Sequence, residues 1–394
     1  MYPGSTRAKR PPLPTLTGMR WVAAFLVFIY HSGTRHLFQN SGVGNSFATV
    51  TGKAGWTGVS FFFVLSGFVL TWSARPGVSL PAFWRRRLVK IYPNHVVTWI
   101  AALGLILWNG PVLAGPVLWP AAFATLLLVQ AWVPDPNFFT SINGVTWSLS
   151  CEVLFYLMFP LWLILVRRIA PPRLWCWAGA IIVLIFCAPL FAQLLPDKPQ
   201  LPWKALSTYQ YWFVYIFPPV RMLEFVLGMV MARAVEEERR WVKLSMGQAS
   251  VLCCLGYIGA LYAPFLFGIA AMTVLPIALV IAAGAEADIR GDQSFLRHRI
   301  MVWLGEISFA FYLVHRLVLV HGHQVLGAHR QWATSTALAL IVLALGVSIG
   351  LAALLYKVVE VPTMHRFSGS KRRSDNSRPT ASTARDVTPL ASPG

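Results

Sequence analysis

Residues 17–33, TGMRWVAAFLVFIYHSG, decide how the rest of the chain is read. The stretch is apolar over most of a bilayer-spanning length, yet it carries Arg20 and His31, eleven positions apart. At 3.6 residues per turn and 1.5 Å rise per residue, that spacing is about three turns. It puts both side chains on one helix face, roughly 16 Å apart along the axis. In a lipid-spanning helix an ionisable residue is costly and turns toward the protein interior or a water-filled cavity, which makes it a functional candidate. A structural reading covers the same residues: Arg20 can snorkel to lipid headgroups, and His31 can close a helix end. The segment alone leaves both open.

Composition makes the membrane the solvent for the rest. Of 394 residues, 56% are hydrophobic and only 12% charged, and the mean hydropathy is +0.60. This length could hold two or three soluble domains, but the composition points to an all-α polytopic membrane protein with spans of about 20 residues. The N-terminus is basic and Pro-rich, and no small-residue cleavage site follows the first apolar run, so the first span is expected to be retained. The net charge of +19 is not read as a nucleic-acid signal, because the basic residues lie in short clusters between apolar spans. Such clusters follow the positive-inside rule and also suit anionic lipid or a polyanionic cosubstrate. Cys151, Cys176, Cys187, Cys253 and Cys254 fall in or beside apolar spans without metal-ligand spacing and read as small buried hydrophobes.

Apolar windows occur near 14–36, 56–74, 94–113, 117–133, 147–166, 174–195, 209–232, 246–263, 265–284, 302–322 and 334–357. Charge placement decides which of them span. With a cytoplasmic start, the second span returns the chain to the cytoplasm at Arg85, Arg86, Arg87 and Lys90. If 117–133 also crossed, Arg167, Arg168, Arg173 and Arg233 would fall outside; if it only enters the membrane, all are cytoplasmic. The expectation is therefore ten transmembrane helices, both termini cytoplasmic, and a membrane-embedded, non-spanning segment near 117–133. The chain then divides into a cytoplasmic tail (1–12), an integral membrane domain (13–366) and a polar, basic tail (367–394) expected to be disordered and cytoplasmic. No fixed-period repeat is visible.

Several constellations could carry chemistry. In FWRRRLVKIYP, Arg86 and Lys90 lie one helical turn apart, as do Arg87 and Lys90. Arginine forks pair with phosphate oxygens and lysine adds a point charge, so this is a candidate phosphate clamp. A stop-transfer cluster at the lipid headgroups accounts for it equally. NGVTWSLSCEVLFYLMFP puts Glu152 in an apolar segment, within about two turns of the outer face under this topology. A buried carboxylate needs a partner or a proton, and His31, at similar depth, is the candidate; a structural ion pair is the other reading. WLGEISFAFYLVHRLVLVHGH supplies Glu306, Tyr312, His321, His323 and a mid-membrane His315. The spacing matches no compact metal site, and no metal is expected. Glu360 in YKVVEVP is read as interfacial and ion-paired. In the second span Gly58, Ser66 and Gly67 read as small residues for close helix approach.

Taken together, LTGMRWVAAFLVFIYH, GVSFFFVLSGF, FWRRRLVKIYP, WSLSCEVLFYLMFP, WLGEISFAFYLVH and YKVVEVP resemble the acyltransferase 3 family of membrane-bound acyltransferases, in the family's order, from about residue 13 to 363. The resemblance implies a ten-span fold that moves an acyl group from acyl-CoA to a hydroxyl, with the natural-product acylating type the nearer look-alike. By motif match, Arg20 and His31 are the family's Arg-x10-His pair, His31 is the catalytic imidazole, and Glu152 is the acid of a Trp-Ser-Leu-x-x-Glu stretch. Arg87 and Lys90 stand where the family shows Arg-x-x-Arg, so the charge is kept and one fork is lost. Some relatives carry a C-terminal SGNH-type esterase domain, which this chain, ending in a polar tail, is expected to lack.

The expected mechanism has two zones. Arg20, Arg86, Arg87 and Lys90 hold the CoA phosphates at the cytoplasmic edge. His31, oriented by Glu152, takes the proton of the acceptor hydroxyl. Trp147, Ser148 and His315 line the acceptor side, and the acceptor is a macrolide or glycosylated small molecule or a cell-surface carbohydrate. A proton-coupled transporter or flippase using intramembrane His and Glu is the rival class, and the CoA-like basic loop argues against it. The topology makes a direct prediction: a reporter fused after Asn137 should report an external location, and a cytoplasmic signal there would overturn the ten-span arrangement.

Overall fold

A computed structural model describes residues 10–75, 77–110, 118–237, 244–327 and 330–367. The expected tail at 368–394, most of the N-terminal tail and residue 117 of the embedded segment lie outside these. The described chain is almost wholly helical. In order it forms α1 (Pro14–Gly33), α2 (Ser41–Thr51), α3 (Ala54–Ser73), α4 (Leu80–Asn109), α5 (Trp119–Leu126), α6 (Pro136–Phe139), α7 (Trp147–Arg168) and α8 (Leu174–Ala192). An antiparallel pair, β1 (Gln200–Leu201) and β2 (Lys204–Ser207), leads into α9 (Thr208–Tyr211) and α10 (Pro218–Glu236). The chain continues through α11 (Met246–Tyr262), α12 (Phe265–Gly268), α13 (Ala271–Arg290), α14 (Arg299–Gly327), α15 (Thr334–Leu355) and α16 (Val361–Phe367).

Eight helical segments among the described residues are long and apolar enough to cross a membrane. α11 is apolar but has 17 residues. α1 has 20 residues and is not among the eight, since Arg20 and His31 lower its hydropathy. The eight with α1 and α11 correspond, in order, to the ten expected spans. The outward faces of α8 and α15 carry exposed Val, Leu and Phe side chains, as lipid contact requires.

The segment near 117–133 does not cross. α5 has eight residues, about 12 Å of helix against a hydrocarbon core of about 30 Å. Its Ala121, Ala122 and Thr125 are buried while Trp119, Phe123 and Leu127 are exposed. Leu128 and Ile142 take the left-handed conformation, φ 58° and 54°, unusual for such side chains, and turn the chain inward at both ends of the stretch that leads to α7. An independent observation agrees. Arg75 after α3, Arg167 at the end of α7, Arg233 at the end of α10 and Arg10 before α1 line one cleft. These chain ends share one end of the bundle, which a crossing between α4 and α7 would forbid.

The centre is built from α1, α3, α10 and α14. α3 and α10 meet backbone to backbone: a Cβ on Gly67 would sit 1.8 Å from the Phe225 carbonyl oxygen, and one on Gly228 would sit 1.9 Å from that of Val64. Of the small residues expected to serve close approach in the second span, Gly58 and Gly67 do so, and Ser66 instead lines a cavity. α10 is buried along nearly its whole length and places the ion pair Arg221–Glu224 (2.9 Å) in the interior, with Ser60 donating to Glu224 at 3.0 Å. Gly228→Ala is expected to destabilise the protein by more than about 2 kcal/mol, because backbone on both sides has nowhere to move. Thermal unfolding in detergent tests this; a midpoint within about 2 °C of the parent would refute the close approach.

Candidate active site

α1 carries the site as a shaft with two polar stations. Near its start, Arg20 joins Arg87 and Lys90 of α4 and Glu152 and Tyr156 of α7 around a cavity of about 140 Å³. The Tyr156 hydroxyl donates to Glu152 at 3.0 Å. Glu360 completes the electrostatic surroundings of Arg20 and Lys90 and accepts a hydrogen bond from Asn94 at 2.7 Å. With all ionised, three cations face two carboxylates, leaving one positive charge in excess. Arg87 Nε is buried without a hydrogen-bond partner. Buried charge is stable only when paired, so this station is suited to receive an anion.

Arg20, Leu65 and Val69 also line a second cleft of about 1140 Å³, together with Arg10, Arg75, Arg167 and Arg233. The large basic cleft therefore opens into the smaller cavity at Arg20. The smaller cavity ends against Phe62, Ser148 and Tyr312. There Ser148 and Tyr312 share a hydrogen bond of 2.8 Å, and Tyr312 donates to the Val145 carbonyl at 3.0 Å.

Neither histidine lines that cavity, but Tyr312 at its wall packs on His315 with ring centroids 5.9 Å apart, and His315 meets His31. Its Nδ1 lies 3.0 Å from His315 Nε2 and 3.0 Å from the Val27 carbonyl, while His315 Nδ1 lies 3.1 Å from the Phe311 carbonyl. These partners assign the tautomers of two neutral rings. A carbonyl only accepts, so His315 carries its proton on Nδ1 and offers a lone pair at Nε2. His31 Nδ1 then faces two acceptors and must carry a proton, which leaves the lone pair of His31 on Nε2. A histidine held with one nitrogen donating and the other bare is arranged as a general base. Tyr30 and Phe28 pack on the pair, with ring centroids 5.0 Å from His31 and 6.5 Å from His315.

Four expectations change. Glu152 makes no hydrogen bond to His31 among the described residues; it belongs to the cation station, and the side chain that meets His31 is His315. The cause is depth: Val145, Thr146 and Trp147 are buried, so α7 begins inside the protein and not at a membrane face. Glu152, about 7.5 Å further along that helix, reaches Arg20 and not His31. Arg86 is exposed and lines neither cavity; Arg87 and Lys90, three positions apart, face inward together. Trp147 is core, packed on Tyr215 and Phe63 with centroids at 4.7 and 6.2 Å, whereas Ser148 reaches the cavity. Glu360 is buried and, among the described residues, hydrogen-bonded to Asn94 and not ion-paired; it closes a π turn over Tyr356–Glu360 that rotates it inward. The residues not foreseen are Arg10, Arg75, Arg233 and Tyr156. Arg10 pairs with Glu236 across 226 positions, a separation that leaves no local signal.

A family model described as an acyltransferase domain matches residues 13–357. The chain is 43% identical over 366 residues to Acyltransferase MdmB of Streptomyces mycarofaciens, covering 91% of this chain and 93% of that protein. It is 22% identical over 338 residues to the peptidoglycan O-acetyltransferase OatA of Listeria monocytogenes, covering 79% of this chain and 50% of that protein. It is 28% identical over 161 residues to the O-acetyltransferase OatA of Staphylococcus aureus, covering 38% of this chain and 24% of that protein. No solved structure matches the chain.

The His31–His315 geometry makes a prediction. His315→Leu fills similar space but offers His31 no lone pair, so acyl-transfer turnover should fall on the order of 10²-fold. Expression and unfolding midpoint should stay near those of the parent. Turnover within about twofold of the parent would remove His315 from the orienting role.

Proposed function

The chain belongs to the acyltransferase 3 family, and from that premise we propose that it transfers an acyl group from acyl-CoA to a hydroxyl of a glycosylated or macrolide small molecule or a cell-surface carbohydrate. One observation carries this reading: a basic cleft and a cationic cavity share Arg20, and Tyr312 on the cavity's wall packs against a histidine pair with one bare nitrogen. A donor with phosphates at one end and a thioester at the other suits that path. Its nucleotide phosphates would meet Arg10, Arg75 and Arg233 in the cleft and Arg20, Arg87 and Lys90 in the cavity, where guanidinium forks bind phosphate strongly. Arg87 Nε, buried without a partner, is free for such a bond. Lys90 contributes a point charge where a second fork would be more selective.

At the far end His31 Nε2 takes the acceptor's hydroxyl proton as the oxygen attacks the thioester carbonyl. The tetrahedral intermediate then collapses, the C–S bond breaks, and the imidazolium returns the proton to the departing CoA sulfur. His315, accepting the His31 Nδ1 proton, holds the ring through both steps and stabilises the imidazolium between them. Glu152 and Glu360 offset the cations of the donor station, so the empty cavity is not left with three unpaired charges.

Positive-inside charge placement supports putting the Arg10 cleft on the cytoplasmic side of the plasma membrane, where CoA resides, with both termini there. The relatives named as an acyltransferase and as peptidoglycan O-acetyltransferases support a hydroxyl acceptor of carbohydrate or natural-product type.

Purified protein supplied with radiolabelled acyl-CoA and a hydroxyl acceptor should release free CoA. His31→Ala should lower that release by about 10²–10⁴-fold. Arg87→Gln should raise KM for acyl-CoA with a smaller change in kcat, as loss of a ground-state contact does. Near-parent turnover in His31→Ala would refute the catalytic assignment, and acyl transfer without CoA release would refute the donor.

A further inference from the structure

Beyond the donor path, one pair of side chains stands near His31 with no role yet. Arg35 lies two residues past the end of α1, and Arg316 follows His315 on α14. They are electrostatic neighbours of each other, and both act on His31 and Tyr30. Both are half-buried. Among the described residues neither forms an ion pair, whereas the fully buried Arg221 has its own carboxylate at 2.9 Å. Arg35 Nε is buried without a hydrogen-bond partner, and among the described residues the side chain's hydrogen bond is a long one, 3.5 Å from Nη2 to the Thr34 hydroxyl. Arg316 makes no hydrogen bond among the described residues.

The surroundings hold Arg316 in this place. Its guanidinium lies over Gly144, where an added Cβ would stand 3.1 Å from Cζ. The neighbouring Asn143 anchors the same loop to α14 by donating to the Leu313 carbonyl at 2.8 Å. Arg35 follows His31 by four residues and Arg316 adjoins His315, so the two flank the touching histidines; like charges within electrostatic reach in a partly dehydrated site repel each other, and burial raises the cost of each. An anion between them reverses the sign of the interaction, and two guanidinium forks match the planar oxygens of a carboxylate or the oxygens of a phosphate.

We infer that Arg35 and Arg316 form a subsite for an anionic group, a carboxylate or a phosphate, carried by the hydroxyl-bearing acceptor. The subsite lies past His31 from the donor cavity, at the end of α1 opposite Arg20. The acceptor is thereby held by its charge with a hydroxyl presented to His31, while the donor comes from the other end. The cation pair also disfavours acceptors that place an ammonium group there. This inference rests on the proposed acyl transfer for the meaning of acceptor, but its test does not depend on turnover.

The test is equilibrium binding of glucuronate, glucose 6-phosphate and glucose to the protein in phosphatidylcholine nanodiscs, which contain no anionic lipid. At least one anionic sugar should bind about tenfold more tightly than glucose, and which of the two is preferred separates a carboxylate from a phosphate acceptor. Arg35→Gln and Arg316→Gln should each abolish the difference. Arg316→Lys, which keeps the charge without the fork, should retain part of it, so that loss of the subsite is told apart from misfolding. His31→Ala, whatever its effect on overall affinity, should keep the preference for the anionic sugar over glucose, so failure of the catalytic assignment would leave this result standing. Equal binding of the three sugars, or a preference that survives both glutamine variants, would overturn the inference. A preference lost only in Arg87→Gln would put the anion at the donor end and also overturn it. Displacement of the sugars by added phosphatidylglycerol would assign the pair to a lipid headgroup and overturn the acceptor subsite.

Discussion

A bundle surrounded by lipid has no water to solvate the charges it encloses, so every such charge must find its partner within the protein. This requirement organises the molecule. Arg20, Arg87 and Lys90 gather with Glu152 and Glu360. Arg221 closes on Glu224 and Ser60, and Arg10 closes on Glu236. Each grouping ties together helices distant in sequence, so the polar residues that make the chain expensive to insert also define how its spans assemble. Arg35 and Arg87 keep a buried Nε without a hydrogen-bond partner and form no ion pair among the described residues, unlike Arg221 and Arg233, whose unpartnered Nε belongs to a guanidinium that a carboxylate already holds.

Much of this was legible in the chain. Arg20, His31, Arg87 and Lys90 announce themselves as ionisable residues in or beside apolar stretches, and the basic clusters correctly marked 117–133 as a segment that does not cross. The partners were less legible. Depth counted from a membrane face paired Glu152 with His31, but α7 starts within the protein, and no count of apolar residues reveals a helix that begins below the surface. Arg86 and Arg87 both lie one turn from Lys90, at spacings of four and three, so the sequence pattern could not choose between them. Glu360 is turned inward by a π turn, one extra residue in a helical turn that leaves no mark on periodicity. The contact of His31 with His315 spans 284 positions and exists only because α1 packs along α14.

The two halves of the site rest on different kinds of support. The cation station sits where α1, α4 and α7 converge, and its carboxylates stand against its cations. The histidine pair is held by backbone carbonyls one turn back on each helix, Val27 and Phe311. Carbonyls in a helix cannot move without breaking the helix, so the orientation of the imidazoles is as rigid as α1 and α14 themselves. The contact of α3 with α10 through Gly67 and Gly228 adds a frame that cannot slide.

α1 therefore serves as a ruler. On the proposed path a donor anchored at Arg20 would have to present its reactive bond about three turns away, a span that helical geometry fixes at roughly 16 Å. Compounds with the same charged end but a shorter arm would bind at the anchor and stop short of the base. The ruler is also indexed in rotation. One residue inserted between Arg20 and His31 would lengthen it by only about 1.5 Å but turn the imidazole by about 100° away from the path. Both the length and the angular registration of the chemistry are thus held in a single uninterrupted run of helix.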